Sequence, residues 1–63
     1  MKIFYDPEVD VLRVLFNGNP IEESDEDRPG LILDYDADGN VVGVEVLNAS
    51  ERVDNPLQYA VTG

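Results

Sequence analysis

Apolar and polar residues divide this chain into short blocks punctuated by turn residues. Lys2-Ile3-Phe4-Tyr5 is a first apolar run, broken by Asp6-Pro7-Glu8-Val9-Asp10, where proline and aspartate favour a reversal. Val11-Leu12-Arg13-Val14-Leu15-Phe16 follows, rich in β-branched and aromatic side chains. The two runs predict an antiparallel hairpin. Asn17-Gly18-Asn19-Pro20 is a second turn signal. Residues 21–28 are almost wholly polar and predict a loop or a short exposed edge segment, closed by Pro29-Gly30.

Residues 30–35 predict a third strand, with Leu31, Leu33 and Tyr35 on one face and Ile32 and Asp34 on the other. After the turn Asp36-Ala37-Asp38-Gly39-Asn40, residues 41–47 predict a fourth. Its Val42, Val44 and Val46 share a face, while Gly43 and Glu45 point away. Such alternation describes an antiparallel sheet apolar on one side and able to meet water on the other. The tail is expected to cover the apolar side. Asn48 with Glu51, and Asn55 with Gln58, have capping-box spacing, and Pro56 suits a first helical position. Leu57, Ala60 and Val61 form a stripe at helical spacing, so helical turns are predicted over 49–53 and 56–61. The expected fold class is α+β, mainly β: a small antiparallel three- to four-stranded β-meander with one or two short C-terminal helices, forming a single domain over 1–63.

Length and composition narrow the chemistry. A chain of 63 residues builds only a marginal core, and small folds usually need a staple. With no cysteine and no histidine, disulfides, thiolate metal sites and the commonest general base are all absent. A hard cation or self-association remains. Phe4, Val11, Leu15 and Ile32, on the second sheet face, offer apolar area for a homodimer. The net charge of −10 disfavours nucleic acid and anionic membranes and attracts a basic protein. Glu22, Glu23, Asp25, Glu26 and Asp27 are the candidate partner-binding residues. No secretory or membrane-spanning pattern is visible at the N-terminus, so a cytoplasmic protein is expected.

One motif looks like chemistry. Asp34-Tyr35-Asp36-Ala37-Asp38-Gly39, followed by Glu45, satisfies the pattern of an EF-hand calcium loop. That loop requires flanking helices, whereas these flanks prefer strands, and Asp38-Gly39 is itself a hairpin turn signal. A plain turn is expected; the alternative is a weak calcium site built from Asp34, Asp36 and Asp38. Asp6, Glu8 and Asp10 read as a solvated connection, having no visible pocket to perturb them. Ser24, Ser50 and Thr62 lack a histidine base, so no enzyme and no cofactor are expected.

The stretch Tyr5-Asp6-Pro7-Glu8-Val9-Asp10-Val11-Leu12, then Ser24 and Glu26, then residues 30–50, above all Leu33 to Ser50, resembles the YuzE-like family of small prokaryotic proteins of unknown function, the domain of unknown function DUF2283. The resemblance runs from Lys2 to about Arg52. Arg13 stands where members often carry an aromatic residue. The resemblance implies a compact β-meander with a helical end and a bacterial or archaeal host. It implies no catalytic residues, because the family has no established activity. Some members look like the acidic half of a toxin–antitoxin pair, encoded beside a small toxin-like protein. By analogy, this points to an antitoxin-like partner of a basic protein.

Overall fold

Every turn signal reverses the chain in the computed structural model, which describes residues 1–60. Strand β1 (Lys2–Asp6) pairs antiparallel with β2 (Val11–Leu15), with Tyr5 opposite Leu12. The polar segment is itself a strand, β3 (Glu23–Arg28), paired with β4 (Leu31–Tyr35). Strand β5 (Val41–Leu47) lies between β4 and β2, so the order is β1-β2-β5-β4-β3. The sheet therefore has five strands where three to four were expected. It is also no simple meander, since β2 pairs with β5 and not with its sequence neighbour β3. Acidic residues have poor strand propensity, which is why the segment reads as a loop. At a sheet edge, one partner and a solvated outer side suffice, and charges there discourage stray pairing.

Register sorts the side chains into rows. On one face Tyr5, Leu12, Val46 and Leu31 lie across from one another, followed by the row Ile3, Val14, Val44, Leu33 and Asp25. The other face carries the row Phe4, Arg13, Glu45, Ile32 and Glu26, and the row Lys2, Leu15, Gly43, Asp34 and Ser24. A β-bulge interrupts the alternation of β5. Val41, not Val42, stands opposite Tyr35, and the extra residue Val42 is 2% exposed.

The tail covers only the first row. Tyr5, Leu12 and Ala49 form the buried cluster, with Val46, Val53, Tyr59 and Ala60 packed against it. Two 3₁₀ turns, Ala49–Glu51 and Pro56–Tyr59, replace the expected α-helical turns. Asn48 and Asn55 adopt left-handed backbone conformations and make no side-chain cap, so neither capping box forms. Pro56 does open its turn, as expected. The predicted stripe fails: Leu57 is 63% exposed, Ala60 forms a parallel bridge with Tyr5, and Val61 lies outside the described residues. The 3₁₀ turn ends at Tyr59 and the Ala60 backbone is already extended, so no helical stripe continues beyond Leu57.

Candidate acidic docking surface

Strand β3 is exposed along its whole length. Pairing sends Glu23 and Asp25 to the face carrying Tyr35 and Leu33, and Ser24 and Glu26 to the face carrying Asp34 and Ile32. The five candidate partner-binding residues thus do not act as one patch. Glu22, Glu23 and Asp25 line a concavity of about 410 Å³ with Tyr35 and Asp36. Glu26 accepts the Gly30 N–H at 3.1 Å across the β3–β4 turn, where Gly30 has φ 85°, so it has a local structural task. Asp27 makes a surface ion pair with Arg28 at 3.5 Å, an arrangement of little energetic weight.

The turn between β4 and β5 holds Asp36 in place. Its Oδ1 accepts the N–H groups of Asp38 and Asn40 at 2.9 and 3.0 Å. The Asn40 bond, followed by that from Asp38, lowers the Asp36 pKa from its ordinary value, keeping the concavity negative. The three carboxylates of the calcium alternative do not converge. Asp34 is fully buried, Asp36 is committed to its turn, and Asp38 is exposed. Glu45, which an EF-hand would fold back onto the ion, is carried along β5 and binds Arg13 at 2.9 Å. Among the described residues no group of three or more acidic side chains could hold a metal ion. The strand flanks decide this, because they extend the chain by about 3.4 Å per residue away from the turn.

The structure also reveals two acidic residues whose roles are hidden in the sequence. Asp34 has one bonded oxygen: Ser24 Oγ donates to Oδ1 at 2.6 Å, while Oδ2 has no partner among the described residues. Opposite it, Gly43 leaves the necessary room. A Cβ there would lie 3.1 Å from Asp34 Oδ2 and 3.0 Å from the Val14 carbonyl oxygen. The lone glycine in an otherwise valine-rich strand was the available signal.

Asp10 was expected to be a solvated turn residue. Instead it clamps the tail to the first hairpin. Its Oδ1 accepts the Tyr5 hydroxyl at 2.5 Å and the Ser50 N–H at 2.9 Å, and its Oδ2 accepts the Ser50 hydroxyl at 2.7 Å. Its carbonyl accepts the Ala49 N–H at 3.0 Å. Tyr5 first, then Ser50, lower the Asp10 pKa, and the same bond raises that of Tyr5. Because the folded-state pKa is depressed, the stabilisation is complete above the unfolded value and disappears as pH falls through the folded one. Asp10→Asn should therefore melt below the parent chain at pH 7, and the two melting points should converge below about pH 4. A gap of constant size across that range would show that the charge is immaterial.

The opposite face is nearly neutral at its centre. Phe4, Val11, Leu15 and Ile32 are half-buried there, with Arg13 5.9 Å from the Phe4 ring centroid. Residues 2–50 match a family described as protein of unknown function (DUF2283). The chain belongs to that family. The match takes in all five strands and ends at Ser50, so it contains both halves of the Asp10–Ser50 clamp but not the second 3₁₀ turn. No curated protein and no solved structure matches the chain. No helix among the described residues is long and apolar enough to cross a membrane.

Proposed function

We propose that this DUF2283 domain is an acidic protein-interaction module that binds a basic protein through the β3 border, in the manner of an antitoxin neutralising its partner. The observation that carries the reading is the placement of Glu22, Glu23 and Asp25 beside Asp36, around one open concavity on an exposed edge. Clustered charge of one sign steers an oppositely charged partner and rejects like-charged ones. The net charge of −10 adds a long-range field of the same sign.

The test is capture of the partner from the native host, repeated with the E22K/E23K/D25K variant. Like charges brought together at an interface cost several kcal/mol, so affinity should fall at least about tenfold. The parent interaction should also weaken between low and high salt. Undiminished binding by the variant would remove the proposal.

A further inference from the structure

We infer that the partner presents a short amphipathic α-helix, with basic side chains reaching β3, to the half of the sheet face that the tail leaves open. This rests on the acidic-module reading and adds the surface and the shape of what it holds. A sheet that is apolar on one face is stable when a second layer covers it. Here the tail packs on Tyr5, Leu12 and Val46. The next row, Ile3, Val14, Val44 and Leu33, is apolar across four strands and ends in Asp25. Beyond it Tyr35 stands opposite Val41 on one side and Glu23 on the other. Phe16 extends the face from Val14 and donates its N–H to the Val42 carbonyl. Ile3, Phe16 and Val41 are 39%, 41% and 39% exposed.

The dimensions suit a helix. Strands lie about 4.8 Å apart, so the apolar part of a row across four strands spans about 14 Å and the carboxylates lie about 5 Å further on. Along the strands the tail leaves about two rows, some 7 Å between them. A strip of that size accepts one helix of about 10 Å diameter, whereas a second sheet would need a broader face.

Charge selects the partner over a second copy. Of the chain's four basic residues, Lys2 and Arg13 belong to the opposite face by register. Arg28 pairs with Asp27, and Arg52 donates to the Pro29 carbonyl. A second copy docked through the same strip therefore brings the carboxylates of its own β3 against those of the first and leaves Lys2 and Arg13 on its far face.

The probe is an amphipathic Leu/Lys peptide of about 18 residues, long enough to form a helix. A Leu/Glu peptide with the same leucine stripe is the control. The full chain is titrated with each and followed by NMR and circular dichroism. The expected result is induced helicity with the Leu/Lys peptide only, shifts centred on Ile3, Leu33 and Val44, and at least tenfold weaker binding to the I3S/F16S variant. Both substituted positions are solvent-accessible, and an unchanged melting transition checks that the variant folds. Shifts centred on Phe4 and Arg13, equal binding of the Leu/Glu peptide, or self-association of the free chain through Ile3 and Phe16 would each overturn the inference. If I3S/F16S binds normally while E22K/E23K/D25K does not, the helix surface is wrong and the acidic module stands. If neither variant differs from the parent, both fall.

Discussion

Ser24→Ala is expected to cost about 2–3 kcal/mol, although it changes one small side chain on the exposed edge strand. Asp34 is fully buried, and the Ser24 hydroxyl is the donor that satisfies its Oδ1. Its Oδ2 already lacks a partner among the described residues. Without the hydroxyl, a buried carboxylate would have neither oxygen bonded, and the loss is the desolvation penalty of that group. A chain of this length has roughly 3–9 kcal/mol of stability in total, so the substitution removes a large part of it. Urea unfolding of the parent, S24A, D34A and the double variant provides the measurement. The cost of S24A should nearly vanish when Asp34 is already alanine, giving a coupling of about 2 kcal/mol. Simple additivity would mean that the hydroxyl acts on something other than Asp34.

Leu12→Ala should be more damaging still, at about 2–5 kcal/mol. Leu12 is 6% exposed and lies between Tyr5 and Val46 in the row that the tail covers. Among the described residues the other buried apolar side chains are Tyr5, Val42, Ala49 and Pro56, so few neighbours can collapse into the space left behind. The variant should unfold at a much lower urea concentration than the parent, followed by circular dichroism. Val9→Ala, at a position 64% exposed, should change stability by no more than about 0.5 kcal/mol. Comparable losses at the two sites would place the core elsewhere.

Strands with apolar runs of their own were legible from the sequence. Residues 41–47 and the reversals at 6–10 and 36–40 fall where apolar alternation and turn residues place them. Strand β3 was not legible, because its pairing comes from the free side of β4 and not from its own side chains. The tail misled for a different reason. Asn48 and Asn55 have the composition of helix caps, but both take left-handed turns that asparagine tolerates, and the segments wind as 3₁₀ turns. For the candidate surface, clustered charge singled out a segment that the structure places along an exposed edge strand. It could not reveal that alternation along a strand sends Glu23 and Asp25 to one face and Glu26 to the other. Asp10 and Asp34 were hidden because their partners, Ser50 and Ser24, are brought to them only by the assembled sheet.

The position of β5 in the middle of the sheet governs how the chain can assemble. Of the five strands it is the last to be synthesised, yet it joins the early hairpin β1–β2 to the later pair β3–β4. Neither piece has a lasting partner until it arrives, because a lone hairpin is barely stable in water. Folding must therefore wait for contacts between distant parts of the chain, and such topologies fold slowly for their size. During that wait the half-made sheet exposes its edges, and the dense carboxylates of β3 keep nascent copies apart.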